Sequence, residues 1–268
     1  SHAYRMLIFS VDAAPQTVVP KARAAALKAL ELDPALDEAH TSIAVVLGQY
    51  DWDWLGAERE HKRAIELNPN NSPAHLFYSE MLSILGRHSE AVSEAQRARA
   101  LDPVSMPALL MVGRALFYGR QYDRAVQEFT QSIEVSAGFW PMHLFLGKVY
   151  GEQRLYEKAL AELRKAQGPT PHATASMGYV LGKSGKKVEA KQILGELMLR
   201  ANQTYVSPTH IANNYVGLGE KDQAFAWLEK GFEARDSHME FLGVDPMYDS
   251  LRSDPRFVDL LGRLHLPH

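Results

Sequence analysis

Residues 29–34 of this chain read Ala-Leu-Glu-Leu-Asp-Pro, and close variants of that hexapeptide return at 64–69 and 98–103, with Ser-Ile-Glu-Val-Ser-Ala taking the same place at 132–137. The spacings are 35, 34 and 34 residues. A period of that length, closed in three of the four cases by a helix-stopping proline, accommodates two helices and their connections. Two helices approach closely only where one side chain is small and a large neighbour fills the gap beside it. Counted from the third residue after each proline, the eighth position reads Ala44, Ser79, Gly113 and Gly147, and the eleventh reads Leu47, Leu82, Leu116 and Tyr150. The second helix carries Ala57, Ala91, Ala125 and Ala159, followed by Ala64, Ala98, Ser132 and Ala166.

Two further units follow with altered linkers, one on Gly178, Leu181, Gly185, Ala190 and Leu194, the other on Ala212, Tyr215, Gly219, Ala224 and Leu228. Gly86, Gly119, Gly185 and Gly219 are expected to end first helices in the left-handed cap conformation. Ala22 and Ala29 fit a second helix whose partner is the opening segment, where Tyr4, Met6, Leu7, Ile8 and Phe9 begin as if in mid-helix. That opening implies a fragment of a longer polypeptide. The expected division is a truncated first repeat at 1–35, helix pairs at about 36–69, 70–103, 104–137, 138–168, 169–203 and 204–242, and a helical cap at 243–268. The cap is required because a stacked array leaves its terminal apolar face open.

The period and its small residues resemble the tetratricopeptide repeat family over roughly residues 18–234, most of the chain. The resemblance implies an all-α, right-handed α-solenoid of about six helix pairs with a C-terminal capping segment. It further implies that first helices line a concave groove through their second, fifth, sixth, ninth, twelfth and thirteenth positions. Those places hold Leu76, Phe77, Glu80, Leu110, Met111, Arg114, Phe117, Tyr118, Leu144, Phe145, Lys148 and Glu152, with Tyr179, Lys183 and Asn213 from the shortened units. The Leu and Phe members fit burial between neighbouring helices equally well. The repeated cations at Arg114, Lys148 and Lys183 over an aromatic floor suit a peptide with an acid among apolar anchors. Chaperone-binding members of the family grip a terminal carboxylate with a set of cations and amides. Thr41 and Val45 stand at the corresponding places here, so that clamp is not expected.

Composition narrows the remaining classes. A net charge of −3 and a pI near 6.4 supply no basic field for phosphate backbones, so direct nucleic-acid binding is not expected. The chain has no cysteine, and no run of about 18 apolar residues predicts a membrane span. His40, His75 and His143 share the fourth position of their units but lie a helix pair apart, and they read as packing residues rather than metal ligands. The segment Tyr50-Asp51-Trp52-Asp53-Trp54 admits two readings. It is either an exposed recognition element or, by preference, a structural one, with Asp53 capping a helix and the indoles covering a one-residue insertion. No nucleophile elbow, phosphate loop or metalloprotease motif occurs, so no catalytic residue, metal or cofactor is expected.

Tyr50–Trp54, Val206-Ser207-Pro208, residues 217–224 and residues 251–257 together resemble the C-terminal repeat regions of bacterial winged-helix, cyclase and serine/threonine-kinase regulators. The likeness implies a cytoplasmic sensory or scaffolding segment. The expected function is therefore non-catalytic binding of a protein or peptide. The alternative is a regulatory domain whose groove holds its own chain or a small effector. Self-association through end-to-end or groove contacts is a further expectation.

Overall fold

The computed structural model describes residues 15–135, 138–166 and 171–267. The opening segment with Tyr4, Met6, Leu7, Ile8 and Phe9 lies outside the described residues, as do Ser136 and Ala137. All regular structure among the described residues is helical. Pro15–Leu32 forms α1, Asp37–Val46 α2, Trp54–Leu67 α3, Ser72–Ile84 α4, His88–Leu101 α5, Met106–Tyr118 α6 and Tyr122–Val135 α7. Trp140–Glu152 forms α8, Tyr156–Lys165 α9, His172–Lys183 α10, Lys187–Ala201 α11, Pro208–Leu218 α12 and Lys221–Glu233 α13. Two 3-10 turns, Met239–Phe241 and Pro246–Tyr248, then lead to α14, Pro255–Arg263. The result is a helical solenoid: each first helix packs on the second helix of its own unit and on the first helix of the next.

Helix starts are written into the linkers. Asn71 accepts from the Ala74 N–H at 3.1 Å and Asp53 from the Gly56 N–H at 2.9 Å, satisfying donors that a helix cannot pair internally. Pro73, Pro107 and Pro141 sit in first turns, where their missing N–H is not needed. Helix ends follow the expected glycine cap at Gly86, Gly185 and Gly219, whose φ values are 73°, 85° and 78°. Gly119 departs from it with a φ of −75°, and Arg120 takes the left-handed conformation instead at 58°. The fourth-position histidines are more than packing. His40 Nδ1 lies 2.6 Å from Glu60 and its Nε2 3.0 Å from the Pro34 carbonyl, and His75 repeats this with Glu94 and Pro69. His143 makes the same carboxylate contact with Glu162 at 2.7 Å. Each imidazole thus ties a first helix to the second helix of its own pair.

The inserted residue of the first complete unit appears as a π-helical turn at Leu47–Asp51, after which Trp52 adopts a left-handed φ of 59°. This turn aims Trp52 at the far end of the chain. Its indole stacks on Phe232 of α13 at 4.9 Å, and the Arg235 guanidinium lies 4.3 Å from the same ring. Arg235 also donates to the Tyr50 carbonyl at 2.7 Å. Trp54 Nε1 donates to the Leu264 carbonyl at 2.9 Å, in a fully buried setting. Both indoles are therefore buried structural elements, but what they cover is the last unit rather than the insertion alone. The array closes on itself.

The residues after α13 complete that closure. Arg256 of α14 lies 4.1 Å from the Phe225 ring and Arg263 lies 4.0 Å from the Phe232 ring, so α14 covers the outer face of the last pair. Before it, Met239, Leu242, Tyr248 and Leu251 are all within 2% of complete burial, because this stretch runs along the concave face.

The first helices α10 and α12 cross at nearly bare backbone. A Cβ on Gly182 would collide with the Gly217 carbonyl carbon, and one on Gly217 with the backbone of Tyr179. Gly195, on the outer helix α11, has open space where a Cβ would go. Gly182→Ala is expected to cost about 1–3 kcal/mol by forcing the backbones apart, whereas Gly195→Ala should gain about 0.5–1 kcal/mol from helix propensity. Thermal melts should move in opposite directions, and parallel shifts would contradict the close crossing.

Candidate functional site

The concave face is built from α4, α6, α8, α10 and α12, and the groove positions expected from the repeat fall on it unevenly. Leu76, Phe77, Glu80, Leu110, Met111, Arg114, Tyr118, Leu144, Phe145, Lys148 and Asn213 line one chamber. Phe117 is fully buried behind them. Glu152 and Tyr179 pair with each other away from the chamber, and Lys183 is exposed outside it.

Two of the three cations expected along the groove are paired within the chain. Arg114 binds Glu80 at 2.7 Å and Lys148 binds Asp245 at 2.6 Å, so both charges are neutralised from within the chain. Asp245 belongs to the segment that crosses the groove. Phe241 of that segment stacks on Tyr118 with ring centroids 5.1 Å apart. The Arg114 guanidinium sits 5.0 Å from the Phe145 ring and 5.4 Å from Phe241. Tyr248 donates to Asn213 Oδ1 at 2.6 Å, and Asp249 pairs with Arg120 at 2.7 Å. Glu240 lies 1% exposed near Glu80; burial first, and then that neighbouring carboxylate, push its carboxyl well above the usual range. The groove is thus occupied by residues 239–249 of its own chain.

Beside that segment a chamber of about 370 Å³ remains. Phe139, Trp140 and Pro141 at the start of α8, together with Pro107 and Leu110 of α6, add to its largely apolar lining. This volume and character are those of pockets that enclose a small ligand or a few side chains.

One wall of the chamber carries residues that the sequence reading passed over. His172 at the start of α10, His210 in the first turn of α12 and His238 after α13 bring their rings to centroid separations of 4.4, 4.8 and 4.7 Å. Burial, followed by the other imidazoles, holds His172 and His210 well below the usual histidine range. His238 Nδ1 lies 3.1 Å from Asp236, a carboxylate 1% exposed. Asp236 also accepts from the Thr209 N–H at 3.1 Å, from Thr209 Oγ1 at 3.0 Å and from Ser207. Burial pushes its carboxyl up, but the bonds and charge of His238, and after them the Ser207 hydroxyl, outweigh it and hold the carboxyl at about 2. The available signal was position. Extending the groove numbering, His172 falls at the second place of its unit and His210 at the sixth, both groove-facing; His238 lies beyond the period and gave none.

Residues 110–174 match the family model of the tetratricopeptide repeat. That stretch is about a quarter of the chain, and over it the sequence is similar to the family. No curated protein matches the sequence. Among solved structures, PilF of Pseudomonas aeruginosa is similar at a TM-score of 0.55 and 18% identity, covering 82% of this chain and 97% of that one. A thermophilic tetratricopeptide protein of Thermus thermophilus aligns at 0.50 and 17%, over 85% of this chain and 97% of that one. The Cut9–Hcn1 complex of the APC/C contains a chain aligned at 0.57 and 16%, over 90% of this chain and 52% of its own length. At these identities the likeness speaks for the fold alone, a helical-repeat solenoid. No described helix is long and apolar enough to cross a membrane.

Glu152 offers a test of the electrostatics beside the groove. Tyr179 donates to it at 3.1 Å, but burial first and then Asp245 push its carboxyl up to about 7. A raised carboxyl means that the folded chain keeps a proton the unfolded chain has released. Stability from this group is therefore present at low pH and is lost as pH climbs from about 4.5 to about 7. Glu152→Gln should melt higher than the parent at pH 8, by about 1–2 kcal/mol or a few degrees. Near pH 5 the two melts should coincide, and a gain that is equal at both pH values would contradict the burial of this charge.

Proposed function

We propose that this array is a non-catalytic binding module that admits a short apolar segment of a partner protein into the chamber beside its own 239–249 segment. The observation that carries the reading is the seat of that segment. Phe241 against Tyr118, and Asp245 four residues later against Lys148, display the recognition chemistry of the groove, an aromatic group paired with an acid. Segment recognition of this kind uses a few buried anchors surrounded by weaker contacts. The anchors on the receptor side are at the chamber lining, where Leu110 and Trp140 pack against the core but are only partly buried.

A second reading has its own support. The groove is filled intramolecularly, which suits a domain that reports the state of its chamber to a neighbouring module. We place the chain in that setting, as a cytoplasmic segment of a larger bacterial regulator with a DNA-binding, cyclase or kinase module attached. In both readings the chamber is the receptor and no bond is made or broken.

Selection from a displayed library of random peptides provides the test. Peptides with a large apolar or aromatic residue should be enriched, and their affinity should fall about tenfold or more (about 1.4 kcal/mol) on Leu110→Asp or Trp140→Ala. Melting temperatures of both variants should stay close to that of the parent. No enrichment, or enriched peptides indifferent to both substitutions, would remove the chamber as the docking site.

A further inference from the structure

We propose that His172, His210 and His238 bind one divalent transition-metal ion of the zinc class at the chamber wall, leaving one coordination position directed into the chamber. The inference does not depend on the partner reading. It starts from the three rings themselves. One ligand nitrogen of each lies within 4.8 Å of the others, although the residues come from two first helices and a turn separated by 38 and 28 positions. No hydrogen bond joins these rings to one another among the described residues. His172 Nε2 and His210 Nδ1 are buried with no hydrogen-bond partner among the described residues. A buried imidazole nitrogen left unpaired is costly, and two of them in one cluster of three rings form an arrangement that a cation resolves and apolar packing does not.

The third ring is held as a ligand needs to be held. Asp236 accepts at His238 Nδ1, which leaves Nε2 as the free lone pair. Carboxylate–histidine pairs of this kind orient metal-bound imidazoles and raise their basicity. Asp236 is itself fixed by Ser207, Thr209 and the His238 N–H, so the support behind the ligand is rigid. Zinc takes imidazole nitrogen at about 2.0–2.1 Å in tetrahedral geometry, which sets nitrogen–nitrogen separations near about 3.3 Å. All three rings line the chamber, and with His238 held by Asp236 the remaining gap is closed by side-chain rotation at His172 and His210. Three neutral nitrogen ligands suit zinc, cobalt or nickel and not calcium or magnesium, which demand oxygen. The fourth position falls to water or to a donor atom of whatever occupies the chamber.

Metal-free full chain titrated with zinc chloride by calorimetry, and with cobalt chloride by visible absorption, tests the site. One equivalent should bind, and cobalt should show the intense d–d bands of a tetrahedral site. Asp236→Asn should weaken zinc binding by about 10–100-fold, and His172→Gln and His210→Ala by more than that. His40→Gln and His143→Gln should leave affinity unchanged. Because Asp236 also anchors the start of α12, the two histidine variants carry the decision if Asp236→Asn does not fold. Absence of one-to-one binding would overturn the proposal, and so would undiminished binding in His172→Gln and His210→Ala.

Discussion

The Trp52 indole, stacked at 4.9 Å on Phe232 with Arg235 over the same ring, joins two helix pairs that are 180 residues apart in sequence. A stacked array depends on contacts between neighbours alone and can flex through the sum of many small rotations. Here that freedom is removed at one point. The π-helical turn at Leu47–Asp51 re-aims the chain, and the buried Trp54–Leu264 hydrogen bond adds a second fixed point. An unmade bond at that depth costs about 1–3 kcal/mol, so the two ends hold each other against opening. With the ends joined, the concave face becomes the wall of a chamber instead of an open trough.

Closure also explains the ion pairs of the interior. Arg114 and Lys148 occupy the ninth position of adjacent units, where an open groove would present them to a partner. In the closed array they are desolvated, and each needs an internal counter-charge. Glu80 supplies one and Asp245 the other. Breaking either pair by removing one member would leave a buried charge, at a cost of about 3–5 kcal/mol. The 239–249 segment is therefore part of the core, and the space available to a partner is what it leaves uncovered.

Much of this was legible in the residues. The 34-residue period, the small residues at Ala44, Ser79, Gly113 and Gly147 and the capping role of Asp53 led to the solenoid, because local spacing governs helix pairing. The groove positions were legible as a face, but their charge state was not. The residue that neutralises Lys148 is 97 positions away, in a segment with no periodicity to place it. For the same reason Asp51–Trp54 could be read as a structural element, while the contacts its indoles make near the far end of the chain could not. The three histidines were individually visible, two of them at groove-facing places, yet His238 comes beside them through a turn after α13 that Asp236 ties to Ser207 and Thr209, a tertiary contact with no periodic signal.

Hydrogen exchange at the amides of residues 239–249 measures the central claim, that the chain fills its own groove and holds its ends together. Leu242, Val244, Asp245 and Tyr248 each donate a backbone hydrogen bond inside the closed array. The account predicts protection of these amides comparable to that of α10 and α12, lost together with them on global unfolding. Exchange of this segment within seconds, while α10 and α12 remain protected, would show an open groove with a detached tail and would contradict the account.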